Sequence, residues 1–184
     1  MPSEPQPWTV LDRRYVLDRQ PYMTLREDTV LLANGARIED YFVFEYPDWA
    51  ITLAVTTKEE FVLIRQYRHG IEKVIYELPA GVVDPSEPFI ESARRELLEE
   101  TGYGSGIWQP WMQVSANPAT HTNTAHVFLA TGVELLDKQR LDHTEEIEVQ
   151  VLSREKTLEL LRAGAFVQAM QAAPLWRYFA EFGV

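Results

Sequence analysis

GVVDPSEPFIESARRELLEETGY, Gly81–Tyr103, is the stretch whose reading decides the fold. From about Pro88 to Thr101 the apolar residues Ile90, Ala93 and Leu97 recur at i, i+3 and i+7, which predicts a helix with one buried face. Glu96, Glu99 and Glu100 stand at i, i+3 and i+4 on the neighbouring face. Like charges at that spacing destabilise a helix by roughly 0.2–0.5 kcal/mol per pair. They also occupy the last turn, ahead of Gly102 as C-cap, where the helix dipole is already negative. A local choice that opposes stability is expected where function overrides it. A hard divalent cation such as Mg²⁺, which takes oxygen ligands, would relieve the conflict. The alternative is a solvated acidic face.

The wider spacing is more specific. Gly81, Glu87, Arg95, Glu96, Leu97, Glu99, Glu100 and Gly102 resemble the signature of the Nudix hydrolases, with Tyr103 where that family has an aliphatic residue. The resemblance implies an α/β fold: a Nudix-type α/β/α sandwich with a mixed β-sheet, here with an N-terminal β-strand extension. It implies hydrolysis of a nucleoside diphosphate linked to a further group, with Mg²⁺ or Mn²⁺ as cofactor. By the same resemblance Glu96 and Glu100 are the principal metal ligands. Glu99 is a third ligand or acts through water, and the Ala80 carbonyl supplies a backbone ligand. Arg95 pairs with Glu87 and, with Glu99, belongs to the catalytic group. The base that orients or deprotonates water is expected in the run Leu141–Glu148, with Glu145 ranked first and Glu146 second. Glu148 should face solvent from a strand and ranks last.

Further features resemble the ADP-ribose and nucleotide-sugar pyrophosphatases. They are ELPAG at Glu77–Gly81, RQYR at Arg65–Arg68, Pro118 beyond the box, and a strand-rich segment before residue 50. Arg68 and Arg65 are the expected phosphate-binding residues. Asn123 stands where that branch often has a glutamate, which leaves the substrate open between ADP-ribose, GDP-mannose and a broader nucleotide-sugar range. Tyr46 and Trp49 are candidate platforms for a base. The resemblance also implies a homodimer. A non-catalytic module that senses ADP-ribose is the competing class, and the complete box argues against it.

A chain of 184 residues is long enough for one large domain, or a core domain with an appendage. A net charge of −11 argues against a nucleic-acid backbone or an anionic membrane as partner. There is no cysteine, hence no disulfide and no thiol nucleophile. No apolar run approaches the ~20 residues of a membrane span. The polar start, MPSEPQPW, lacks a signal-peptide core, and a cytoplasmic location is expected. Residues 1–7 read as a disordered tail, 8–48 as a strand-rich dimerisation segment and 49–184 as the Nudix domain. Strands are expected from Trp49, from Phe61 to Arg68 and from Ile147. A helix capped by Ser153 follows, and a last helix spans about Gln168 to Phe182, with Pro174 either kinking it or marking its start. Trp108 and Trp111 are expected to pack, and His126 to be an ordinary hydrogen-bonded histidine. His121 and His143 lie in loops near the presumed site.

Overall fold

The computed structural model describes residues 4–183. Residues 4–7 of the expected tail are exposed and without regular structure, and its first three residues lie outside the described ones. The β-branched and aromatic residues that follow form three antiparallel strands, β1 (Thr9–Arg19), β2 (Met23–Leu31) and β3 (Arg37–Glu45), paired in that order. Gly35, at φ +84°, closes the β2–β3 turn, a left-handed conformation that glycine adopts without a Cβ clash. These strands form one unit with the segment Ser115–Asn123. Within it Val30 and Val43 are buried, and buried Asp28 is held between Arg13 (2.9 Å) and Arg26 (3.2 Å). β1 leaves Val10, Leu11, Tyr15 and Val16 exposed.

The second unit runs from Asp48 to Val114 and from Thr124 onward. Its strands are β4 (Trp49–Thr56), β5 (Phe61–Arg68), β6 (Lys73–Glu77), β7 (Ala80–Val82), β8 (Tyr103–Gly104), β9 (Ile107–Ser115), β10 (Thr124–Leu135) and β11 (Ile147–Leu152). The sheet runs β11-β5-β4-β10-β8, with β6 beside β5, β7 beside β4 and β9 beside β10. β4 and β10 are parallel while β11, β5 and β4 alternate antiparallel, so the sheet is mixed. The helices are α1 (Phe89–Thr101), α2 (Arg154–Arg162) and α3 (Ala169–Phe182).

The period-2 alternation of the buried strands decides how the layers stack. Ile51, Leu53 and Val55 of β4, Phe61 and Leu63 of β5, and Val127 and Leu129 of β10 point to one face. There they meet Leu158 and Leu161 of α2 and Leu175, Tyr178 and Phe179 of α3. The intervening Ala50, Ala54, Val62, Phe128 and Ala130 point to the other face, against Ala93 and Leu97 of α1. Small residues there let α1 approach closely enough for the Thr52 hydroxyl to donate to the Ala93 carbonyl at 3.2 Å. The result is the α/β/α sandwich expected from the sequence.

Local signals set the helix ends. α1 starts after Pro88 and stops at Gly102, whose φ of +76° forms the left-handed C-cap. The Ser153 side chain accepts from the Lys156 N–H at the start of α2. Pro174 does not mark the start of α3, which begins five residues earlier at Ala169. Among the described residues no helix is long and apolar enough to cross a membrane.

Candidate active site

The last two turns of α1 and the loop before β11 enclose a polar cleft of about 150 Å³, lined by Arg95, Glu96, Glu99, Glu100, Arg140, Asp142 and Glu145. The three box glutamates are not equivalent. Glu100 lies three residues after Leu97 and seven after Ala93, so it falls on the buried stripe of the helix and is 4% exposed. Burial pushes its carboxyl up to about 8, and the neighbouring charges of Glu96 and Glu145 add to the shift. The Ala80 N–H, donating to Glu100 Oε2 at 2.9 Å, opposes it. Glu96 is also held above the ordinary carboxylate range, first by burial, with Arg95 opposing. Glu99 is about half exposed.

Arg95 supplies the positive charge within this cluster. Its Nη1 donates to Glu96 at 2.7 Å and to Glu99 at 3.1 Å, while Nη2 and Nε reach Glu87 at 3.2 and 3.3 Å. The Glu87–Arg95 pair read from the sequence is present, and two further carboxylates share the guanidinium. Glu96 lies directly against the chain at Gly81. A Cβ built there would stand 2.0 Å from the Glu96 carboxyl carbon and 2.2 and 2.4 Å from its oxygens. Among the described residues no three His, Asp or Glu side chains converge closely enough to hold an ion as they stand. The donor set nevertheless fits a hard divalent cation: it is all oxygen, anionic, half-buried, and gathered on one enclosed cleft. Ala80 adjoins this set, its N–H already bonded to Glu100.

The family follows from comparison with known proteins. Residues 47–170 match the NUDIX domain model, and residues 8–44 match the nucleoside diphosphate sugar hydrolase N-terminal domain. The chain belongs to the Nudix family. The ADP-ribose pyrophosphatase of Bacillus subtilis (strain 168) is 32% identical over 146 residues, 79% of this chain and 78% of the relative. The GDP-mannose pyrophosphatase of Salmonella typhimurium is 33% identical over 158 residues, 78% of this chain and 81% of the relative. Among solved structures, that of an ADP compounds hydrolase superposes with a TM-score of 0.83 over 98% of both chains at 21% identity, a likeness of fold. The chain is accordingly a Nudix pyrophosphohydrolase.

The other candidate residues of this Nudix protein fall into separate groups. Glu145 lines the carboxylate cleft, and its Oε2 accepts from the Asp142 N–H at 3.0 Å. Glu146 lines a different, open cleft with Arg65, Tyr67 and Glu148. Arg68 is engaged by Glu77, which is 1% exposed, through Nε at 3.0 Å and Nη2 at 2.8 Å. Arg68, Glu77 and Trp49 line a 340 Å³ cavity with Ile71, Ile75 and Val167. Arg65 bonds Glu148 at 3.0 Å and lies over the Tyr76 ring at 5.3 Å, which keeps its head group out of the carboxylate cleft. Tyr46 and Pro118 belong to the N-terminal unit, where Tyr46 lies between Phe44 (6.2 Å) and His121 (5.2 Å). His126 stacks on Phe89 at 3.6 Å, and its ring nitrogens meet Gln113 Nε2 at 3.3 Å and Asp48 Oδ2 at 3.5 Å, the ordinary hydrogen-bonded histidine expected; His143 is exposed. Three residues escaped the sequence reading: Glu77, although it opens the ELPAG run, and Arg140 and Asp142, which no spacing singles out.

Proposed function

We propose that this chain hydrolyses the pyrophosphate bond of ADP-ribose or a related nucleoside diphosphate sugar in a metal-dependent reaction. From ADP-ribose the products are AMP and ribose 5-phosphate. The observation that carries this reading is the gathering of Glu96, Glu99, Glu100 and Glu145 on one cleft within a Nudix domain. The N-terminal match to nucleoside diphosphate sugar hydrolases and the names of the relatives support the substrate class.

Glu96, Glu99 and Glu100, with the Ala80 carbonyl, would hold Mg²⁺ or Mn²⁺, which supplies positive charge at the pyrophosphate of a substrate that a chain of net charge −11 otherwise repels. Glu145 takes the proton of the attacking water. Its Oε2 is held by the Asp142 N–H, which leaves Oε1 for that proton. The water oxygen bonds to one phosphorus, the bridging P–O bond breaks, and each product leaves with one phosphate. Arg95 orients Glu96 and Glu99 through its shared bonds. Arg68 binds substrate from the cavity that Trp49 lines, with Glu77 fixing the guanidinium plane. Arg65 reaches phosphate only by exchanging Glu148 for it.

GDP-mannose is the second reading, supported by the Salmonella relatives. A panel of ADP-ribose, GDP-mannose and other nucleotide sugars, assayed with Mg²⁺, Mn²⁺ and EDTA, tests both. Turnover should be abolished by EDTA, by Glu96→Gln and by Glu100→Gln. Undiminished turnover in either variant would refute the metal assignment. The exposed apolar side chains of β1 support a homodimer built with residues 8–48. Sedimentation should give twice the 21.2 kDa chain mass, and an active monomer would reject the dimer. A nucleotide-sugar substrate suits the cytoplasmic location expected from the sequence.

A further inference from the structure

Helix ends and sheet edges both leave carbonyls without backbone partners. The last turn of α1 and the start of β11 present one of each. The segment between β10 and β11 covers them. The Leu136 and Asp137 N–H groups donate to the Gly102 carbonyl at 2.9 and 3.2 Å, and the Arg140 N–H donates to the Glu99 carbonyl at 2.8 Å. Between them, Gln139 Nε2 donates to the Glu100 carbonyl at 2.7 Å and to the Ile147 carbonyl at 3.0 Å. β11 is the outer strand of the sheet, so this one amide joins the sheet edge to the end of the box helix.

Glu145 sits two residues before Ile147, and Glu96, Glu99 and Glu100 lie on α1. The chain leaves α1 at Arg140 and is caught again at Ile147. Between these anchors the segment 141–146 is braced by the reciprocal Asp142–Glu145 bonds, 2.9 Å backbone to backbone and 3.0 Å to the carboxylate. We propose that Gln139 is a positioning residue for Glu145: its two hydrogen bonds set the distance between the proton-accepting carboxylate and the box glutamates. The proposal rests on the reading of Glu145 as the group that takes the water's proton.

A staple of purely structural value would alter stability alone, and any effect on turnover would be independent of Glu145. A positioning residue behaves differently, because a displacement of about 1 Å costs up to ~10²-fold in rate. With ADP-ribose and Mg²⁺, Gln139→Ala should lower kcat by about 10–10²-fold while KM and Mg²⁺ affinity stay within about threefold. In a Glu145→Gln background the same substitution should cause no further loss, since residues acting through one group are not additive. In the metal-free protein, Gln139→Ala should speed amide exchange at Asp142 and Glu145 by about tenfold and leave β4 and β10 unchanged. A wild-type kcat in Gln139→Ala, with Glu145→Gln impaired, overturns the proposal and leaves the Glu145 reading standing. A full second loss in the double variant overturns it likewise. A wild-type kcat in Glu145→Gln overturns both together. Gln139→Glu keeps the length and removes both donors. If it and Gln139→Ala are unfolded, Gln139 is a folding residue and the proposal fails.

Discussion

Replacing Gly81 by alanine adds one methyl group beside the Glu96 carboxylate. The new Cβ would lie 2.0 Å from Cδ of Glu96, and ordinary contact begins at 3.4 Å, so the carboxylate must retreat by 3.4 − 2.0, or 1.4 Å. The backbone does not resist the change, since Gly81 is not among the residues with positive φ. Alanine at a compatible position stabilises by about 0.4–1 kcal/mol through the unfolded chain. That roughly offsets the strained Glu96–Arg95 bond, which counts for about 0–1 kcal/mol because Arg95 is 37% exposed. The melting temperature should therefore stay within about 4 °C of wild type. Function should not: a ligand moved by more than 1 Å predicts a loss of about 10²-fold in kcat at saturating Mg²⁺. Steady-state kinetics, Mg²⁺ calorimetry and thermal melting check the three parts. Wild-type kcat and Mg²⁺ affinity in Gly81→Ala would refute the argument that the glycine exists to admit Glu96. A large drop in melting temperature would show instead that the site cannot yield.

Glu100, raised to about 8 from an ordinary 4.5, binds its proton more tightly folded than unfolded, so the metal-free protein should lose stability as pH rises from about 4.5 to about 8, on the order of a few kcal/mol. Melting in EDTA should show the decline, and Glu100→Gln should flatten it; a melting temperature that climbs across this window contradicts the shift. Arg68→Ala strands the buried Glu77 carboxylate and should cost about 3 kcal/mol, the low end for a broken buried pair because Arg68 is 43% exposed, and it should raise KM. Arg68→Ala with wild-type melting and KM would exclude both roles. Asp28→Ala leaves Arg13 and Arg26 facing each other and should destabilise the N-terminal unit by about 3 kcal/mol, read by denaturant titration.

The parts of the fold legible in the sequence are those fixed by local rules. α1 was expected from about Pro88 and runs from Phe89, because a proline before it and a glycine after it act within one turn. β4, β5 and β11 were legible because buried apolar runs bounded by turn residues leave few alternatives. What escaped depends on register. Arg68 and Glu77 share one face of the β5–β6 hairpin, which sets Arg68 opposite Lys73 and Glu77 opposite Ile64, so the long Arg68 side chain must run along the hairpin to reach Glu77, and no spacing announces that. The segment Ser115–Asn123 joins the N-terminal strands through the Phe44–His121 bridge and the bond of the Tyr41 hydroxyl to the Ala119 carbonyl, which are non-local. Glu100 is the instructive case. Its place three residues after Leu97 put it on the buried stripe, yet its charge grouped it with Glu96 and Glu99. The structure makes it both, and the raised carboxyl is the consequence.

The most direct test of the central claim is ³¹P NMR of ADP-ribose incubated with the protein and Mg²⁺. The account predicts that the pyrophosphate resonances disappear and are replaced by two phosphate monoesters, AMP and ribose 5-phosphate, in equal amounts, and that Glu100→Gln abolishes the conversion. Pyrophosphate resonances unchanged by the wild-type protein for ADP-ribose and GDP-mannose alike, or conversion that persists in Glu100→Gln, would contradict it.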